Sequence, residues 1–389
     1  MVLISFFDED PLDNIGDILF LKPEICIFLG EKSIIKDKKL DPMRTILQRR
    51  GLSTEIRGES VPAGDMEAAT DKLVRLIQAY PDCILDVTGG TEMLIALAGN
   101  ISDKFDVPIY QRKGRSSRIH WQTGCELLPG SASLTVAEVV YLHGGVILSS
   151  QAIPELNDDF YKDIPALWEI VRHDMTDYNR MCNKLASLAS HSTSSHPLTI
   201  IADGETYLKP PHLNRDTLNA LENAGLIKDL SFREDGITLT FRTPQIKEVL
   251  TKAGCLLEYA TLIAADRVTD RAIGVSMDWD GDINVLTAQT RNEMDVMLTY
   301  GMNPICISCK NGDFYNEALY ELDTVSRHFA GRFAKQIMVA SCNGMAESTV
   351  EHLKQRARDT GIIPVFNVKD LTFREFTAEL RKHLPRNIY

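Results

Sequence analysis

At 389 residues the chain is long enough for two or three domains with separate cores, and its 44% apolar and 25% charged content is ordinary for a globular protein. Its net charge of −12, from 42 basic and 54 acidic residues, excludes a general nucleic-acid coat protein, so any nucleic-acid contact has to be local, through a metal or a confined basic patch. The first residues carry no basic stretch ahead of an apolar one, and no apolar run approaches about 18 residues, so a cytoplasmic chain with no membrane span is expected.

Residues 1–125 alternate strand and helix patterns. Strands are expected at Val2–Phe7, Ile25–Leu29, Leu52–Arg57, Cys83–Val87 and Val107–Gln111, with helices at Pro11–Leu21, Pro42–Gly51, Asp65–Tyr80 and Glu92–Phe105. Asp65 suits an N-cap, and Ala68, Leu73, Leu76 and Ile77 give the following helix an apolar stripe. This order predicts an α/β fold that opens on a Rossmann-like doubly wound sheet, whose ligands bind beyond the carboxyl ends of the strands. There, after the Cys83–Val87 strand, stands Thr88-Gly89-Gly90-Thr91, followed directly by Glu92 and a helix. Two glycines let a backbone approach a ligand closely, and threonine hydroxyls with free helix N–H groups suit phosphate or ribose oxygens. A tight turn capped by Thr91 would read the same way. The stretch lacks the glycine spacing of a dinucleotide site and the lysine of a P-loop.

A strand, then TGGT, then an apolar helix in an N-terminal Rossmann-like unit resembles the CRISPR-associated Rossmann-fold (CARF) domain, which senses cyclic oligoadenylates made by type III CRISPR complexes. The resemblance implies that Thr88, Gly89, Gly90, Thr91 and Glu92 face such a ligand, with cyclic tetra-adenylate the expected activator. Many members carry lysine where this chain has Glu92. The loop Phe7-Asp8-Glu9-Asp10 takes the family's other ligand-facing position.

The domain boundaries are expected near 150 and 245. Leu134–Leu142 reads as strand-like, closed by a turn at His143-Gly144-Gly145. Ala166–Ala189 has a helical pattern, and His191–Pro197 reads as a polar loop and not a metal site. A helix at Asn214–Leu226, then strands Leu230–Phe232 and Ile237–Phe241, resembles a winged helix; with few basic residues on the helix, a connector suits it better than a reader of duplex sequence. Of the eight cysteines, most sit in apolar settings of a reducing compartment, and the lone CxxC at Cys306 and Cys309 has no second pair to make a zinc site.

Pro244 opens a helix expected to run to about Val268, with Glu258 opposite its apolar face. Asp278-Trp279-Asp280-Gly281-Asp282 reads as a turn linking two strands. The next pair of strands meets at Tyr300–Pro304. Strict alternation puts Met294, Val296 and Leu298 on one face and Glu293 and Asp295 on the other, while Cys306, Ser308 and Lys310 share a face opposite Ile305, Ile307 and Cys309. An acid and a lysine can thus stand on one side of the pair, either as a surface cross-strand ion pair or as a site for a metal and a phosphate.

A helix bearing Glu258, then Asn292–Val296, then Cys309-Lys310-Asn311-Gly312 before a helix resembles the PD-(D/E)xK nuclease superfamily, and in particular the nucleases fused behind CARF domains. The resemblance implies Asp295 as the main metal-binding acid, Glu258 as a supporting acid, Lys310 as the catalytic lysine and the Cys309 carbonyl as a metal ligand, with Mn²⁺ or Mg²⁺ as cofactor. Where many members carry an acid two residues before the lysine, this chain has Ser308. The expectation is a homodimeric nuclease with a C-terminal restriction-endonuclease-like domain, activated by the cyclic oligoadenylate and cutting DNA or RNA, single strands more readily than duplex. The alternative is a non-catalytic sensor with a degraded nuclease domain, acting through its winged-helix-like segment on DNA or a partner protein.

Overall fold

The computed structural model describes residues 1–33, 35–113, 117–120, 124–127, 132–151, 158–265, 268–278 and 292–385. The chain begins with strict alternation: β1 (Val2–Phe6), α1 (Pro11–Leu21), β2 (Ile25–Glu31), α2 (Asp37–Arg49), β3 (Glu55–Val61), α3 (Met66–Ala79), β4 (Cys83–Asp86), α4 (Glu92–Phe105) and β5 (Ile109–Lys113). These strands are parallel in the order β3-β2-β1-β4-β5, and β6 (Ser117–His120) and β7 (Gly124–Leu127) extend the sheet antiparallel at one edge. The doubly wound sheet is as expected, apart from its antiparallel edge. Every residue of β1 is buried, as a central parallel strand covered by helices on both faces requires. On one face α1 and α2 supply Leu12, Ile15, Ile18, Met43 and Ile46; on the other α3 and α4 supply Leu73, Ile77, Leu94 and Leu97. Asp10 caps α1 ahead of Pro11, and Asp65 caps α3 by accepting from the Ala68 N–H. The third strand lies later than the expected Leu52–Arg57 because the Leu52 N–H still closes the end of α2 on the Leu47 carbonyl.

Leu134–Leu142 is not a strand. It forms α5 (Val136–Leu142), opened by a capping box between Thr135 and Glu138, with Val136, Val139 and Val140 buried at helical spacing. The β-branched run suits a strand by propensity, but the cap and the burial stripe override it. The turn at 143–145 then leads into β8 (Val146–Gln151), which pairs antiparallel with a strand more than 120 residues on. The expected boundary at 150 therefore falls inside a strand of the second large sheet.

The middle segment holds α6 (Asp158–Val171), α7 (Met175–Ser190), β9 (Thr199–Asp203), α8 (Gly204–Leu208), α9 (Arg215–Asn223), β10 (Ile227–Phe232), β11 (Gly236–Phe241), α10 (Pro244–Thr251) and α11 (Cys255–Ala264). The single helix expected over Ala166–Ala189 is two, separated by a 3-10 turn at Arg172–Asp174, after which Asp174 caps α7. The helix-and-wing order is present, with β9 completing an antiparallel sheet of order β10-β11-β9. The helix expected from Pro244 to Val268 is also two, broken before Gly254, whose φ is +88°.

The second sheet runs in the order β16-β15-β14-β13-β12-β8, with β12 (Asp270–Asp278), β13 (Asn292–Tyr300), β14 (Asn303–Lys310), β15 (Lys335–Ala340) and β16 (Ile363–Phe366). Helices α12 (Asn316–Ala330) and α13 (Glu347–Asp359) connect β14, β15 and β16, which are parallel, and α14 (Phe373–Lys382) closes the described chain. Residues 279–282 of the expected acidic turn lie outside the described residues. One core cluster joins Val296, Ile307 and Val339 of the sheet to α6, α7, α11 and α14, where Trp168 stacks on Phe376 at 5.0 Å. A second cluster joins Met297, Cys306 and Met338 to α12 and α13, and also to α1, α2 and α5 of the first unit. The two large sheets thus share a core. Cys306 and Cys309 pack with different clusters, and Cys26, Cys83, Cys182, Cys255, Cys306, Cys309 and Cys342 are free. Among the described residues, no helix is long and apolar enough to cross a membrane.

Candidate functional site

Two cavities carry most of the residues singled out above; Glu258 lines neither. The first lies where the order of the parallel sheet reverses, between β1 and β4, the position at which doubly wound sheets bind ligands. After β4 the backbone is pressed against the end of β1: a Cβ at Gly89 would stand 2.6 Å from the Phe6 carbonyl, and one at Gly90, where φ is +92°, 2.6 Å from the Phe6 Cβ. These glycines serve the loop's own packing. Behind the loop, Asp86 accepts from the Ser5 hydroxyl at 2.8 Å and from the Thr88 N–H at 2.9 Å, and the Thr88 hydroxyl accepts from the Arg112 N–H at 2.9 Å. The buried Arg112 guanidinium pairs with Asp13 at 2.8 Å and faces Asp17 at 3.6 Å, which ties the loop to α1. Burial acts against the charged guanidinium, but the surrounding acids Asp17, Asp13 and Asp86 leave its pKa raised.

Gly90, Thr91 and Glu92 line this cavity with Phe7, Asp8 and Glu9 from the end of β1; Thr88 and Gly89 hold the loop from behind and do not line it. The Thr91 hydroxyl caps α4 through a long 3.4 Å contact from the Leu94 N–H, so capping and ligand contact are compatible. Arg332, from the turn after α12, completes the lining. It is some 240 residues from Glu92 in sequence, and no local motif marks it.

The second cavity opens on β13 and β14. The β12–β13 ladder runs from Ile273↔Val296 directly to Val275↔Met294, skipping Gly274 and Asp295, and Gly274 has a φ of +55°. Alternation breaks there. Met294 packs with Met297 in one cluster while Val296 and Leu298 pack in the other, so the expected common face of Met294, Val296 and Leu298 is corrected. Asp295 Oδ2 accepts from the Ser308 hydroxyl at 3.0 Å and from the Cys309 N–H at 2.6 Å, and Lys310 Nζ stands 4.0 Å away. Asp295, Ser308 and Lys310 therefore surround one cavity, with Glu293 and, from α12, Ala318 and Glu321. Sequence reasoning did not single out Glu293 or Glu321 as site residues.

Glu258 is the one residue of α11 that is not fully buried. Helix α11 is buried on almost every side, and Glu258 Oε2 is buried with no hydrogen-bond partner. Burial pushes this carboxyl up to about 7, and the neighbouring charge of Asp295 adds to the effect, with Lys252 opposing. Asn179 braces this corner, accepting from the Gly254 N–H at 3.3 Å and donating to the Asn311 carbonyl at 3.0 Å. The chemistry of these donors fits a hard divalent cation: Asp295 and Glu258 supply carboxylate oxygens, one of them without a partner, and magnesium-type sites commonly use one or two carboxylates with water and substrate phosphate. Among the described residues, no three metal-ligating side chains converge as the side chains stand.

The whole chain has counterparts of the same fold. It superposes on protein VC1899 from Vibrio cholerae with a TM-score of 0.71 at 16% identity, over 98% of this chain and 97% of that one. It superposes on Can2 from Sulfobacillus thermosulfidooxidans, determined in complex with cyclic tetra-adenylate, with a TM-score of 0.67 at 17% identity, over 98% and 96% of the two chains. At such identities the likeness is one of fold, and it extends over both sheets and the segment between them. No family model and no curated protein matches the sequence.

Proposed function

We propose that the chain is a nuclease switched on by a cyclic oligoadenylate in type III CRISPR defence. The observation that carries this reading is the pairing of two sites on one fold: a TGGT loop at the reversal point of the first sheet, and Asp295, Ser308 and Lys310 around one cavity of the second with Glu258 beside them. The fold likeness to Can2, whose structure holds cyclic tetra-adenylate, supports that ring as the activator. A ring of four nucleotides has two-fold symmetry, and a homodimer would offer it two TGGT loops.

Asp295, which lines the second cavity, and Glu258 of α11, which feels the charge of Asp295, would hold Mn²⁺ or Mg²⁺. When bound, such an ion supplies Lewis-acid stabilisation of the oxygens that gain charge as a phosphodiester is cut. Asp295 is positioned for this by the Ser308 hydroxyl and the Cys309 N–H, which fix one carboxylate oxygen. Lys310, next to Asp295, holds a water in line with the phosphorus or neutralises charge on the phosphate. The substrate is a strand of DNA or RNA, single strands before duplex, because the net charge of −12 gives no general attraction for a duplex backbone.

One observation favours a second reading. Ser308 is almost fully buried and spends its hydroxyl on Asp295, at the position where the resembling nucleases carry an acid. A sensor without catalysis, acting through the α9–β11 segment on DNA or a protein, is the alternative. Cleavage of labelled single strands with Mn²⁺, with and without cyclic tetra-adenylate, separates the two: ligand-dependent cutting supports the nuclease, and ligand binding without cutting supports the sensor.

A further inference from the structure

Arg332 lines the TGGT cavity although it belongs to the second unit of the fold. The other ionisable residues described there are Asp8, Glu9, Glu31 and Glu92, so the cavity presents four carboxylates and a single cation. A polyanionic ring cannot enter such a cavity on favourable terms unless a positive group meets its phosphates. Arg332 is built for that: a guanidinium forks onto phosphate oxygens through parallel N–H bonds. Its side chain is half exposed, and its Nη2 lies 3.4 Å from Asp8 Oδ1, a loose contact that an incoming phosphate can displace.

The turn that delivers Arg332 is fixed in place. Gly331 ends α12 with a φ of +88°, and a Cβ there would stand 2.6 Å from His143 Nε2 and 3.2 Å from Asp10 Oδ2. Asp10 is the N-cap of α1, so the turn abuts the loop that carries Asp8. The same helix, 15 residues long, lends Ala318, Glu321 and Leu322 to the cavity that holds Asp295 and Lys310. Helix α12 and the turn that follows it therefore reach the second and the first cavity in turn.

Resting on the reading of the TGGT cavity as a cyclic oligoadenylate site, we infer that Arg332 is a phosphate-binding residue of that site, contributed by the nuclease side of the chain and held by Asp8 until the ligand replaces that carboxylate. The exchange of Asp8 for phosphate is a contact that differs between the free and bound states, which is the requirement for a ligand to shift an equilibrium.

The test is calorimetric binding of cyclic tetra-adenylate to the full-length wild type, Arg332→Gln and Asp8→Asn, with a melting curve for each. Arg332→Gln is expected to lose about 10- to 100-fold in affinity, the range of a lost hydrogen bond to a charged group, while melting like the wild type. Asp8→Asn keeps an oxygen for the Asp10 N–H, which donates to Asp8 at 2.8 Å, and removes the competing charge, so its affinity is expected to rise several-fold. A merely structural Arg332–Asp8 pair predicts the same small change for both variants. Wild-type binding with Arg332→Gln unchanged overturns this inference alone, as does Asp8→Asn binding no tighter. Failure of the wild type to bind the ring overturns the ligand reading and this inference with it.

Discussion

Removing the charge of Glu258 should change how stability depends on pH, and the size of the change follows from its surroundings. Its carboxyl is pushed from the ordinary 4.5 to about 7, first by burial and then by Asp295. At roughly 1.4 kcal/mol for each pH unit, the charged form costs the fold about 3 kcal/mol. The sign is that of a carboxyl raised on folding. Below 4.5 both folded and unfolded chains are protonated and no penalty applies. Between 4.5 and about 7 the unfolded chain has released the proton that the folded chain retains, so stability falls as pH rises, and above 7 the full penalty is in force. Glu258→Gln is neutral throughout and carries no such slope. In a chelating buffer the wild type should lose several degrees of Tm relative to Glu258→Gln between pH 5 and pH 8, the two being close at pH 5. Adding Mn²⁺ at pH 8 should raise the Tm of the wild type more than that of the variant, because the ion takes the place of the missing counter-charge. Parallel Tm curves for the two proteins across this range would refute the reasoning, since they would mean that no buried charge develops at position 258.

Three further substitutions probe the two cavities. Asp295→Asn keeps the shape and an acceptor for the Ser308 hydroxyl but loses the charge, so cleavage should vanish while calorimetry shows cyclic tetra-adenylate bound as before; full activity would remove the metal-site assignment. Thr91→Val keeps the β-branched shape and loses the hydroxyl, with about a 10-fold or greater fall in ring affinity expected for a bond to a charged group; an unchanged affinity would leave Thr91 with its capping role alone. Lys310→Ala should lower kcat far more than it raises KM, because the lysine acts on charge that develops in the transition state, whereas a simple tether would raise KM with kcat almost intact.

The parts of the fold that could be read in advance are those written in local signals. Pro11–Leu21 and Glu92–Phe105 have the ends expected of them because Asp10, Pro11 and Thr91 mark their starts. The central strands Val2–Phe6 and Cys83–Asp86 are legible as short apolar runs buried on both faces. What escaped is non-local. Val146–Gln151 joins the second sheet through a partner far along the chain, and Val136–Leu142 hides its helix in a β-branched run. The site follows the same division. Asp295, Ser308 and Lys310 lie close together in sequence and in space. Glu258 follows a helix break before Gly254 that helical periodicity across residues 244–268 cannot foresee. The break in the ladder at Gly274 and Asp295 is not written in the pattern of either strand, and Arg332 reaches the ligand cavity from a unit whose core is continuous with the first.

The central claim is that ligand at the first cavity switches on chemistry at the second. Its most direct test is the rate of cleavage of a labelled single-stranded DNA and a labelled single-stranded RNA by the full-length protein in Mn²⁺, with and without cyclic tetra-adenylate, beside Asp295→Asn under the same conditions. The account predicts cutting of at least one strand that requires the ring and disappears in the variant. Cutting at equal rates with and without the ring, or cutting that persists in Asp295→Asn, would contradict it.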